Sequence, residues 1–205
     1  MFFSFIRGLI YLIILLLNGK PEYQGREKLP KDDNYIIIAP HRSWIDPVYL
    51  AFVAAPKQFA FMAKKELFKN PLLRWFVTKL NAFPVDRKNP GPSAIKTPVK
   101  ILKETDLGIV IFPTGTRHSK ELKGGAVTIA KLSKKPMVPI VFSGAETFKD
   151  LLKRNRAIVR VGDPFIVERK VEGVKDVNAY YSNKIQESFD QLENELSKER
   201  KSLQP

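Results

Sequence analysis

Two short apolar runs, each cut off by a proline, constrain this chain more than any other feature of it. Tyr35-Ile-Ile-Ile-Ala39 stops at Pro40, and Leu107-Gly-Ile-Val-Ile-Phe112 stops at Pro113. Both are compact β-type runs, and since proline cannot donate to a sheet ladder, each strand ends there and delivers polar residues onto a loop. Further strands are predicted at 137–142 and 157–161, with weaker candidates at 59–63 and 82–85. Helical spacing marks 47–54, 71–80, 93–104, 125–133 and 177–198. Strands alternating with helices predict an α/β fold, a largely parallel or mixed sheet flanked by helices.

The first 17 residues, MFFSFIRGLIYLIILLL, carry one charge, Arg7, and an unbroken apolar run from Leu9 to Leu17. As a helix they reach about 25 Å against a hydrocarbon core of roughly 30 Å, so spanning is marginal. Three phenylalanines precede the first basic residue and no small-x-small site precedes Asn18, which makes a poor signal peptide. Residues 1–18 therefore read as a hydrophobic helix that associates with one leaflet, with Arg7 reaching up to headgroups. The alternative is a buried core helix. Residues 19–33 read as a connector with at most a short strand, and 19–205 as one domain. In Asn70–Leu80 the apolar residues Leu72, Leu73, Phe76, Val77 and Leu80 fall at helical spacing. That pattern suits an interfacial helix, but an ordinary helix packed on a sheet suits it somewhat better.

Charge narrows the partners. The chain has 205 residues, with 35 Lys and Arg against 21 Asp and Glu, a net charge of +14. Residues 57–103 hold 11 Lys and Arg against Glu66 and Asp86, a net of +9, which falls to +7 if the boundary moves to Asp106. Such a stretch suits a phosphate-bearing partner: nucleic acid, an anionic bilayer or a phosphorylated small molecule. Nine of the 14 phenylalanines lie in the first 83 residues with both tryptophans, so hydrophobic bulk and positive charge share one half. The absence of cysteine excludes disulfides and thiol nucleophiles, and His41 and His118 are the only imidazoles.

The loops after the two strands carry the chemistry. His41-Arg42-Ser43-Trp44-Ile45-Asp46 places an imidazole and a carboxylate outside a strand's carboxyl end, where open α/β sheets bind ligands. If Asp46 holds one ring nitrogen, the other is a general base; alternatively, Asp46 is a helix N-cap followed by Pro47 at the first helical position. Phe112-Pro-Thr-Gly-Thr-Arg-His-Ser119 combines a glycine, flanking hydroxyls and an arginine, which suits an anion. Walker, Gly-x-Gly-x-x-Gly and Gly-x-Ser-x-Gly patterns are absent, as is any recognised nucleic-acid motif.

The order of these blocks resembles the glycerolipid acyltransferase family from about Gly25 to Ala145. His41 to Asp46 matches its His-x4-Asp motif, Phe83 to Arg87 its second block, Phe112 to Arg117 its third and Val138-Pro139-Ile140 its fourth. The resemblance implies that 19–205 is an acyltransferase domain with an acyl-chain tunnel, that His41 is a general base and that Asp46 is its partner. It makes Lys64, Arg87 and Arg117 candidates for an acceptor phosphate, with Gly115 and Thr116 shaping the loop. It implies transfer from acyl-CoA or acyl carrier protein to the 2-hydroxyl of lysophosphatidic acid, giving phosphatidic acid without cofactor or metal. A glycerol 3-phosphate or other lysophospholipid acyltransferase, and a non-catalytic lipid-binding protein, are the alternatives. The implied setting is the cytoplasmic face of a membrane, among anionic lipids and without nucleic acid. Two departures stand out: Thr114 replaces the family's usual glutamate, and only one N-terminal hydrophobic segment is visible. The Thr114 hydroxyl then either touches the acceptor's glycerol end or holds the turn at Gly115.

Overall fold

The computed structural model describes residues 1–87, 89–114, 124–145, 147–153 and 156–202, without the side chains at 148, 201 and 202. Its strands are β1 (Glu22–Gln24), β2 (Ile36–Ile38), β3 (Phe59–Lys64), β4 (Ala82–Val85), β5 (Gly108–Ile111), β6 (Met137–Ser143) and β7 (Ile158–Val161). They form one sheet in the order β1-β7-β6-β2-β5-β3-β4. From β6 through β4 every neighbouring pair is parallel; β7 turns antiparallel to β6, and β1 lies parallel to β7. The sheet is therefore mixed.

The helices are α1 (Phe2–Asn18), α2 (Asp46–Val53), α3 (Pro71–Lys79), α4 (Ser93–Glu104), α5 (Gly125–Ser133), α6 (Phe148–Leu152) and α7 (Val177–Ser202). They cover both faces of the sheet, which is why its central strands are apolar runs and not alternating ones. Ile37, Val110, Val138 and Ile140 pack with α1, α2 and α6. Ile36, Ile38, Ile109 and Ile111 face the opposite layer of α4, α5 and α7. The three isoleucines of β2 are wholly buried, and each such side chain stabilises the fold by about 1.5–3 kcal/mol. The short helix α6 has a capping box, with Thr147 and Asp150 each satisfying the other's backbone N–H.

α1 is apolar around most of its circumference, with Ser4, Arg7 and Gly8 on one side, and the fold divides its surface. Phe3, Ile14 and Asn18 are buried, and the Tyr11 ring packs edge-on against Phe52 at 5.2 Å. Phe5, Leu9, Leu12, Ile13 and Leu16 form an exposed stripe along the same helix. Arg7 does not extend outward: its guanidinium donates to the Lys57 carbonyl at 2.9 Å, and burial and the charge of Arg26 hold its pKa below the usual arginine value. Among the described residues, no helix is long and apolar enough to cross a membrane.

α3 departs from the packed-helix reading. It begins cleanly, with the Asn70 side chain accepting from the Leu73 N–H and Pro71 in the first turn, yet none of its residues is buried. Leu72, Leu73 and Phe76 of its apolar stripe are exposed, while Val77 and Leu80 are half-buried.

Candidate active site

Parallel strands end on the same edge of a sheet, so residues just past β2, β3, β4 and β5 converge whatever their separation in sequence. The chain leaves β2 for α2 on one face and leaves β5 toward α5 on the other. Adjacent strands whose exits diverge in this way open a crevice at their carboxyl ends. His41 follows β2, Phe112 follows β5, and their rings stack across that crevice at 4.2 Å between centroids.

His41 is held from behind. Its Nδ1 lies 3.0 Å from Asp46 Oδ2, and the same oxygen accepts from the Arg42 N–H at 2.7 Å and the Ser43 N–H at 2.9 Å. An ionised carboxylate only accepts, so Nδ1 carries the proton and Nε2 is left as the basic nitrogen. Asp46 is completely buried. It is the first residue of α2, but its carboxylate turns back to residues before the helix, and α2 has no side-chain cap. Asp46-Pro47 does open the helix, but the N-cap position falls to Ile45, and the Asp46 carboxylate serves the imidazole instead of capping.

Two cavities meet at His41. The smaller, about 380 Å³, lies among the ends of β4 and β5 and helices α4 and α5. The larger, about 630 Å³, is bounded by α1, α2, β3 and α3. His41, Pro47, Phe61, Met62 and Arg87 border both. The register pairs Lys64 with Val85, so Lys64 and Arg87 arrive near each other at the strand ends. Lys64 borders the larger cavity, and an Arg87 Nη2 donates to the Met62 carbonyl at 3.3 Å. Among the described residues the one carboxylate bordering either cavity is Asp86, which pairs with exposed Lys65; that hydrogen bond raises the Lys65 pKa above its usual value. The lining is thus apolar with a cationic bias.

Of the residues expected from sequence, His41, Asp46, Lys64 and Arg87 come together around the two cavities. Thr114 is buried just past β5, while its neighbour Pro113 reaches the smaller cavity. Gly115, Thr116 and Arg117 lie outside the described residues. Sequence reasoning missed the Phe112 ring as a wall for His41, although Phe112 stood in the third block. It also missed the ion pair between Arg42 and Glu193, which ties the His41 loop to α7; nothing local connects residues so far apart in the chain.

The chain's residues 20–143 match the model of the Acyltransferase family. The chain is 44% identical over 200 residues to the 1-acyl-sn-glycerol-3-phosphate acyltransferase of Streptococcus pneumoniae, covering 95% of this chain and 74% of that one. It is 45% identical over 154 residues to the protein of the same name from Bacillus subtilis, covering 74% and 77%. Its fold is similar to the crystal structure of the 1-acyl-sn-glycerophosphate acyltransferase PlsC of Thermotoga maritima, at a TM-score of 0.67 and 22% identity, over 93% of this chain and 79% of that one. With the family model matching more than half of its length and close relatives matching most of it, this chain belongs to the acyltransferase family.

Proposed function

We propose that this protein acylates the 2-hydroxyl of lysophosphatidic acid from an acyl thioester, giving phosphatidic acid. The observation that carries the reading is a single oriented base, His41, where two largely apolar cavities join. Two acyl-bearing substrates meeting at one imidazole need that arrangement, and the similar proteins bear the name of the reaction.

His41 Nε2 takes the proton of the 2-hydroxyl as its oxygen attacks the thioester carbonyl. A C–O bond forms, the tetrahedral intermediate collapses with loss of the C–S bond, and the imidazolium returns its proton to the leaving thiolate. Asp46 keeps the ring in the productive tautomer and stabilises the transient imidazolium. The larger cavity, with Lys64 and Arg87 on its border, holds the acceptor, whose phosphate binding energy also positions the hydroxyl. The smaller one takes the donor's acyl chain, with acyl-CoA or acyl carrier protein supplying the thioester. The exposed stripe of α1 enters one leaflet of a membrane, since an extended apolar face that the protein leaves open needs a second apolar surface.

The test is a purified-protein assay crossing lysophosphatidate and glycerol 3-phosphate with both thioester donors. Acylation of lysophosphatidate is expected; a preference for glycerol 3-phosphate would replace this reading with the sister reaction.

Arg87→Ala is expected to raise KM for lysophosphatidate about 10- to 100-fold, the value of a charge-assisted contact, and to affect a phosphate-free monoacylglycerol far less. Arg117→Ala should follow the same pattern. Equal losses with both acceptors, measured by initial rates, would rule out the phosphate role.

For Thr114 we favour support of the turn over contact with the acceptor, because it is buried and Pro113 rather than Thr114 reaches the smaller cavity. Thr114→Val should then cost about 1 kcal/mol of stability for the lost hydroxyl interaction and change turnover by less than about threefold. Thermal unfolding and steady-state rates together check this, and a large fall in turnover at unchanged stability would return the hydroxyl to the substrate.

A further inference from the structure

The chain has two tryptophans, Trp44 and Trp75, and each is 52% exposed. Trp44 belongs to the loop between His41 and Asp46 and borders the larger cavity, while α3, which carries Trp75, borders the same cavity through Val77 and, just past its end, Leu80. Large half-exposed indoles are costly in water and settle at a lipid headgroup boundary. Their neighbourhood is apolar too: on α3, Leu72 is 77% exposed and none of its nine residues is buried.

α3 also joins α1. The Phe2 ring meets Trp75 edge-on at 5.5 Å and Phe76 at 6.2 Å, so the exposed stripes of the two helices form one continuous surface. A patch of that extent on a lone molecule requires a cover. Charge selects among covers. Residues 64–80 carry five cations, Lys64, Lys65, Lys69, Arg74 and Lys79, against the single acid Glu66, and all five are exposed. Apolar surface flanked by cations fits an anionic leaflet, with rings at headgroup depth and ammonium groups on lipid phosphates. A second copy of the chain would bring the same cations against each other, which repels.

We propose that α3 and the Trp44 loop are bilayer-contacting elements which, with α1, make one docking surface for an anionic leaflet around the mouth of the larger cavity. A lipid acceptor then reaches His41 laterally from the leaflet, without crossing water. This last step rests on the acyltransferase reading above; the docking surface does not.

The two tryptophans supply the test. Full-length Trp44→Phe and Trp75→Phe proteins each report the remaining indole on addition of phosphatidylglycerol vesicles. Both are expected to shift emission to the blue and to be quenched by lipids brominated along the acyl chain, with weaker binding to phosphatidylcholine vesicles. Leu72→Glu combined with Leu73→Glu, which alters exposed positions outside both cavities, should lower affinity for anionic vesicles about tenfold or more. Turnover of a short-chain, monodisperse lysophosphatidate should stay unchanged in that variant. The proposal is overturned if Trp75 keeps its aqueous emission in the vesicle-bound protein. It is also overturned if Trp75 emission shifts with protein concentration alone, which would make a second copy the cover. Vesicle contact is read from the indoles and not from catalysis, so failure of the wild-type protein to acylate any acceptor would count against the proposed reaction alone.

Discussion

His41→Ala is expected to lower turnover of lysophosphatidate about 100- to 10,000-fold, the range that one positioned general base supplies. Among the described residues that border both cavities no side chain but His41 can take the hydroxyl proton, since Pro47, Phe61 and Met62 carry no base and Arg87 is a guanidinium; Asp46 is wholly buried behind the ring. The fold should survive. His41 contributes a partly buried ring stacked on Phe112, and losing such a contact costs about 0.5–1.5 kcal/mol beyond its area. At this chain length that lowers the thermal midpoint by roughly 1–6 °C. Steady-state rates and a far-ultraviolet circular dichroism melt measure the two effects separately. Turnover within about threefold of wild type would remove His41 from the mechanism.

The second large effect is at Asp46, where geometry and charge can be separated. An asparagine oxygen in the place of Oδ2 still accepts from the Arg42 and Ser43 N–H groups and from His41 Nδ1, so loop and tautomer can persist. The negative charge opposite the imidazolium is lost, and the amide nitrogen takes the place of the buried Oδ1. A charge-assisted hydrogen bond that strengthens in the transition state is worth about 1.5–3 kcal/mol, and the low-dielectric surroundings raise its effect. Asp46→Asn is therefore expected to reduce kcat about 100-fold with little change in KM. The double variant with His41→Ala should be no slower than His41→Ala alone, because the two residues act as a unit. Wild-type turnover in Asp46→Asn would reduce Asp46 to the opening residue of α2.

Local signals were enough for most of the elements. The β2 and β5 runs could not be read otherwise once Pro40 and Pro113 ended them, and α4, α5 and α7 follow the helical spacing of their buried residues. α6 escaped notice because five residues give no periodicity, although Thr147 and Asp150 stand at capping-box spacing. For α3 the spacing was right and the environment was not. An amphipathic stripe shows that one face seeks an apolar surface without saying whether that surface is a sheet or a membrane.

The sequence by itself determined the chemistry available: two imidazoles, no thiol, a base and a carboxylate six positions apart inclusively after one strand, and cations near the ends of others. Only the tertiary structure decided which of these act together. Parallel pairing of β2, β5, β3 and β4 brings residues from 41 to 112 to one edge, and it does so through hydrogen bonds between strands far apart in the chain, which no local pattern encodes. The direction of the Asp46 carboxylate was equally undecidable from spacing, since a helix N-terminus and an imidazole make the same local demand for an acceptor. The backbone turn that points the Arg42 and Ser43 N–H groups at a single oxygen is what commits Asp46 to His41.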